Sequence, residues 1–315
     1  MNNSTLLPSK ADIDAAQVAI APHAILTPLV PLPDPATSDR ELWLKLECLQ
    51  PTGSFKIRGA SAAVAANASK GGPLITISAG NMARAVAHLA AQVGRESIAF
   101  VPDHAPEAKL KPIMELGGSI RKVPFDEWWR LAKSGEVPVP GGLFIHPFAD
   151  RHVMAGNATI GRELAEQGDF DVVLVPWGGG GLSIGIAYAL RAANPRTKVI
   201  AVEASTASPL RASINAGTPV QVAYTATFID GIGSPEVTPS MWPLVDGLIA
   251  DSLAVTPEAA KDAVRLVANR CHVIVEGAAA CAIAAARDPQ FAGKKVAIIA
   301  SGGNIDLAKV AHFLE

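Results

Sequence analysis

Short apolar runs alternate with longer amphipathic stretches along most of this chain. The runs "LITIS" (74–78), "SIAFVP" (97–102), "LFIHP" (143–147), "DVVLVP" (171–176), "KVIAVE" (198–203) and "KVAIIA" (295–300) read as buried strands of a parallel sheet. "LWLKLE" (42–47) instead alternates Leu42, Leu44 and Leu46 with Trp43, Lys45 and Glu47, the period of a half-buried strand. After Asn81, residues Val86, Leu89, Ala90 and Val93 fall at i, i+3, i+4 and i+7, which predicts a helix. Thr256 followed by Pro257 predicts a second helix start, with an N-cap hydroxyl and proline in the first turn. This alternation predicts an α/β protein with twisted, mostly parallel sheets flanked by helices and joined by right-handed crossovers. Loop-rich stretches at 67–73 and 132–142 bracket a smaller unit. The expected division is a large domain, 1–66 with 149–315, and a small mobile domain, 67–148.

Composition narrows the function. A chain of 315 residues that is 49% hydrophobic can bury one large core or two ordinary ones. A net charge of −2 without basic blocks argues against nucleic acid as the main partner. Cys48, Cys271 and Cys281 lie far apart and lack zinc or disulfide-framework spacing. The start, "MNNSTLLPSK", has no apolar signal-peptide segment, and the Ala-rich stretch 276–286 is about half the ~20 residues a membrane span needs. These features lead us to expect a cytoplasmic protein with no membrane partner.

Open α/β sheets bind ligands beyond the carboxyl ends of their strands, and four unusual segments lie at such places or beside them. In "SAGNMARA", Ser78, Ala79, Gly80 and Asn81 form a small polar turn before a helix, where backbone N–H groups favour a carboxylate. Taken alone, this turn is an ordinary cap. In "VPWGGGGLSIG", Gly178, Gly179, Gly180 and Gly181 stand between strand and helix. They are costly to order and suit close backbone approach to a phosphate. In "IIASGGNIDL", Ser301 brings a hydroxyl to a strand end. In "PTGSFKIRGA", Lys56 is an ordinary surface charge unless burial, or the neighbouring cation Arg58, lowers its pKa and makes the amine nucleophilic. Together the four segments supply a nucleophilic amine, a phosphate cradle, an anion-binding turn and a hydroxyl. That set fits pyridoxal phosphate with an amino acid substrate.

At these residues the chain resembles the fold-type II pyridoxal-phosphate enzymes, in particular the threonine/serine dehydratase and serine racemase family. "LKLECLQPTGSFKIRGA" looks like the family's lysine signature, "SAGN" its carboxylate loop, "GGGGL" its phosphate loop and "SGGN" its ring-nitrogen turn. "TPL" (27–29), "HPF" (146–148), "AGNATIGRE" (155–163) and "VEGAAA" (275–280) are weaker matches. The resemblance implies that Lys56 carries the cofactor as a Schiff base and later removes the Cα proton. It implies that Phe55 lies beside the ring, Asn81 bonds its phenolic oxygen, Gly178 to Gly181 hold the phosphate and Ser301 faces the pyridine nitrogen. Ser78, Ala79, Gly80 and Asn81 would hold the substrate carboxylate. A neutral hydroxyl at that nitrogen leaves the carbanion less delocalised, which makes loss of a β-hydroxyl the easier exit.

The departures bear on substrate. Ala79 stands where racemases of the family use a second serine as acid and base, so elimination with little racemisation is expected. Met82 replaces the usual histidine and Trp177 the usual small residue. With Phe148 they are candidates for a side-chain pocket suited to a bulky substrate such as a 3-phenylserine. Glu203 and Ala207 match the metal site of some relatives, but Pro209 replaces its carboxylate, so no tightly bound divalent metal is expected. The short stretch after "SGGNIDL" fits members without a regulatory domain and predicts no feedback by isoleucine. The expected reaction is dehydration and deamination of a 3-hydroxy amino acid (threonine, serine or a bulkier analogue) by a homo-oligomer, with a dimer favoured. An amino acid racemase of the same fold and a non-enzymatic nucleotide-binding regulator remain as alternatives.

Overall fold

Two sheets form the frame of the computed structural model, which describes residues 6–315; residues 1–5, part of the polar start noted above, lie outside the described residues. Numbered along the chain, the larger sheet contains β1 (Leu29–Pro31), β2 (Glu41–Lys45), β7 (Val172–Pro176), β8 (Lys198–Ala204), β9 (Asp251–Val255) and β10 (Lys295–Ile299). Its spatial order is β1-β2-β10-β7-β8-β9, parallel except for the antiparallel β1–β2 pair. The smaller sheet is wholly parallel, in the order β5-β4-β3-β6, and contains β3 (Leu74–Ile77), β4 (Ser97–Pro102), β5 (Ser119–Val123) and β6 (Leu143–Phe144).

The strongest apolar runs become fully buried strands: every residue of β3, β4 and β7 is buried. β5 lies outside the strands expected from sequence because it is an edge strand carrying exposed Ser119, Arg121 and Lys122, the charged surface by which such edges avoid further pairing. β1 and β9 are also additions; β1 has only three residues, and β9 exposes Asp251. The helix Asn81–Gln92 buries Val86, Leu89 and Ala90, while Val93 caps its end and is exposed. The helix Pro257–Cys271 starts as expected, with Thr256 accepting from the Ala259 N–H.

The half-wet face expected for "LWLKLE" survives only at Trp43, which is partly buried. Lys45 and Glu47 are fully buried. They join Arg58 and Glu163 in an ion cluster: Lys45 Nζ meets Glu163 Oε2 at 2.5 Å, and Arg58 forks onto both Glu47 (2.8 and 2.8 Å) and Glu163 (2.5 and 3.0 Å). Two cations and two carboxylates balance, which is what permits charge in a dry interior. The cluster ties the lysine-bearing helix Lys56–Ala66 to β2 and to the long helix Arg151–Gln167.

Candidate active site

The carboxyl ends of β3, β6, β7 and β10 converge on a cavity of about 630 Å³. Lys56, the first residue of its helix, projects into it. The loop before Lys56 is clamped to the turn after β10. Phe55 N–H donates to Ser301 O at 3.0 Å, Gly303 N–H donates to Gly53 O at 2.9 Å, and Ser54 bridges Gly302. The lysine and ring-nitrogen motifs, some 245 residues apart in sequence, are therefore one piece of backbone pairing.

Lys56 Nζ donates to Pro147 O at 2.5 Å and lies 4.9 Å from the centroid of the Phe55 ring. Burial pushes its pKa down to about 8, with the Glu276 carboxylate opposing that shift. The influence expected of Arg58 is corrected. Arg58 is completely buried and neutralised by Glu47 and Glu163, so enclosure rather than a neighbouring cation lowers the lysine's pKa.

The tetraglycine segment closes another wall. A Cβ on Gly179 would sit 2.2 Å from carbons of the Phe148 ring, and one on Gly181 would sit 2.5 Å from Phe148 O. Gly180 has φ +88°, a left-handed conformation that favours glycine, and its missing side chain leaves room for the Trp177 ring. The helix Gly181–Ala193 begins here, so first-turn amides without intrahelical partners lie at the cavity. Asn157 Nδ2 steadies the segment by donating to Gly181 O at 3.1 Å. His146 steadies the facing turn: its Nδ1 accepts from the Phe148 and Ala149 amides, and its Nε2–H donates to Ala132 O. Burial lowers its pKa to about 4, which keeps it neutral.

Ser78, Ala79, Gly80 and Asn81 line the same cavity at the start of the helix Asn81–Gln92, with Ser78 Oγ accepting from Gly80 N–H at 3.1 Å. Asn81 is held from both sides. Its Nδ2 donates to the two Glu276 oxygens at 2.8 and 3.1 Å, and its Oδ1 accepts from Asn304 Nδ2 at 2.8 Å. Arg84 completes the chain by donating to Asn304 Oδ1 at 2.6 Å. Burial raises the Glu276 pKa to about 7, against the hydrogen bond from Asn81. The motif "VEGAAA" by itself gives Glu276 no role. A carboxylate before a run of small residues carries no local sign that it will face an asparagine 195 positions away.

Ser301 also borders the cavity, so all the predicted site residues meet in one place. Met82 and Trp177 border it too, yet each is only 1% exposed and packs mainly into a core. The aromatic groups Phe125, Trp128, Trp129 and Tyr224 line the cavity and were not anticipated. Glu203 lies elsewhere, and its carboxylate accepts from Leu210 N, Arg211 N and Ser252 Oγ.

The family model for pyridoxal-phosphate dependent enzymes matches residues 20–302. The chain belongs to that family. Among its relatives, the L-threonine ammonia-lyase of Thermotoga maritima is 38% identical over 87% of this chain and 70% of its own length. The serine racemase of Oryza sativa subsp. indica is 34% identical over 94% of this chain and 90% of its own length. The solved structure of a threonine deaminase from T.th. superposes with a TM-score of 0.87 at 32% identity, covering 95% of this chain and 99% of that one. The family's cofactor, pyridoxal 5'-phosphate, suits the observed donor set. Among the described residues no amide of Gly178 to Gly181 donates a hydrogen bond within the protein, which leaves these groups for a phosphate, and an enclosed amine of lowered pKa faces the same space.

Proposed function

We propose that this enzyme eliminates water from a 3-hydroxy amino acid and releases a 2-oxo acid and ammonia. The observation that carries the reading is the enclosure of Lys56, with its lowered pKa, in one cavity with the glycine cradle. Lys56 would hold the cofactor covalently through Nζ, and the Gly178–Gly181 amides and helix N-terminus would bind its phosphate. When bound, pyridoxal phosphate supplies an electron sink for charge developing at the substrate Cα.

The protein's own groups divide the remaining work. The Ser78–Asn81 turn presents helix-terminal amides to the substrate carboxylate, which fixes Cα relative to Lys56. Released from the cofactor when the substrate amine takes its place, the Lys56 amine, whose pKa burial lowers to about 8, would then take the Cα proton. Ser301, which lines the cavity, would offer a neutral hydroxyl to the ring nitrogen. Asn81, braced by Glu276 and Asn304, would be the side chain to hold the ring's phenolic oxygen. Lys109 pairs with Asp230 and Lys133 with Glu236, so two ion pairs join the smaller sheet's helices to the loop 224–238 that lines the cavity and favour a closed, water-poor site.

Ala79 argues against racemisation as the main activity, because it has no group to exchange a proton on the second face of Cα. The test is release of ammonia and 2-oxo acid from serine and threonine, with the enantiomeric purity of unreacted substrate followed in parallel. Retained purity with ammonia release supports the reading. Loss of purity without ammonia would replace it with a racemase.

A further inference from the structure

The cavity wall supplied by the helix Phe125–Ser134 has a chemistry that small aliphatic substrates do not require. Phe125, Trp128 and Trp129 stack in succession, with ring centroids 5.9 and 6.1 Å apart and planes tilted by 26° at each step. Phe125 is 48% exposed and both tryptophans are partly exposed, so core packing alone does not account for the cluster. Aromatic residues form only 5% of the chain, yet three fall within five positions beside the cavity. Tyr224 reaches the same space from the loop 224–238, its ring lying where a Gly233 side chain would be.

Several polar groups nearby are already engaged, although Trp177 Nε1 and Glu236 Oε1 are buried without a hydrogen-bond partner. Trp128 Nε1–H donates to Phe100 O at 3.1 Å, which leaves the indole's carbon face for contact. Lys133 lies 5.7 Å from the Trp129 ring centroid and pairs with Glu236. Lys109 pairs with Asp230. These lysines are therefore not free to neutralise an acidic side chain. Arg84 also lines the cavity, but its guanidinium is directed to Asn304, beside Asn81 and the turn after β10.

We infer that Phe125, Trp128, Trp129 and Tyr224 form the substrate side-chain subsite and that it selects an aryl group on Cβ. The inference rests on the dehydration reading and narrows it to 3-aryl-3-hydroxy amino acids. Aromatic rings gain from offset or edge contact with one another beyond the area they bury. A methyl group in the same place would leave much of this wall exposed to water.

The test compares kcat/KM for 3-phenylserine, threonine and 3-hydroxyaspartate on the holoenzyme, measured by ammonia release. Phenylserine should exceed threonine by at least about tenfold, the order of discrimination an apolar pocket supplies. Trp129→Ala should reduce that ratio by about tenfold, and Trp129→Phe should restore most of it. Phenylalanine, which lacks the β-hydroxyl, should inhibit the wild type competitively and do so more weakly in Trp129→Ala. Threonine turnover without an aryl preference, or a ratio unmoved by Trp129→Ala, overturns the subsite alone. Preference for 3-hydroxyaspartate also overturns it and points to Arg84. No ammonia from any of the three overturns the dehydration reading and the subsite with it.

Discussion

Gly179→Ala tests the phosphate cradle directly. Gly179 lacks the positive φ of Gly180, so its substitution reports the steric effect without the backbone strain expected at the neighbouring position. An added Cβ would fall 2.2 Å from Cδ1 and Cγ of Phe148 and 2.6 Å from Cδ2. Ordinary contact is about 3.5–4.0 Å, so the ring or the loop must give way by more than an ångström. Phe148 also packs against His146, whose ring lies edge-on at 4.5 Å. Overpacking of this kind costs about 1–3 kcal/mol. Directed at the cradle, that corresponds to cofactor affinity weakened by roughly 5- to 150-fold. The assay is titration of apo-enzyme with pyridoxal phosphate, followed by visible absorbance and calorimetry. Phe148→Ala in the Gly179→Ala background makes room for the methyl, so the double variant should bind more tightly than the sum of the single effects predicts. Unchanged affinity in Gly179→Ala, or strictly additive losses, would refute the cradle.

Lys56→Ala should abolish ammonia release and the visible band of covalently held cofactor, while phosphate-dependent binding persists in calorimetry. Arg58→Met leaves Glu47 and Glu163 buried with only Lys45 to offset them, so it should cost about 3–5 kcal/mol in denaturant unfolding; a loss below about 1 kcal/mol would show the cluster to be dispensable. Glu276 is protonated in the folded apo-protein at pH values where the unfolded chain has lost that proton. Its contribution to stability therefore falls as pH rises from its ordinary 4.5 through about 7, and Glu276→Gln should flatten the stability profile in that window. Lys109→Ala with Lys133→Ala should raise KM and remove part of the salt dependence of turnover, since both ion pairs across the cavity are lost.

Much of the site was legible because its decisive features are local. Four glycines between an apolar run and a helix, a lysine after Ser-Phe and a Ser-Ala-Gly-Asn turn each impose their geometry within a few residues. The buried strands were legible for the same reason: complete burial needs an unbroken apolar run, and β4 matches "SIAFVP" residue for residue. β5 was not legible, because an exposed edge strand owes its conformation to pairing with β4 rather than to its own pattern.

Long-range contact decided the rest. Lys45 and Glu47 occupy the positions that alternation assigns to solvent; Arg58, a carboxylate more than a hundred residues away and hydrogen bonds with Thr27, Gln50 and Gln167 make their burial tolerable. Glu276 acquires a role from Asn81, and the aromatic wall faces the cavity only because one helix of the smaller sheet packs across from the larger one. Sequence by itself determined the fully buried strands, the turns and the chemical groups available at their ends. Tertiary structure determined which charges are paired, which pKa values move and what a substrate side chain would touch, because each depends on groups the chain brings together from distant segments.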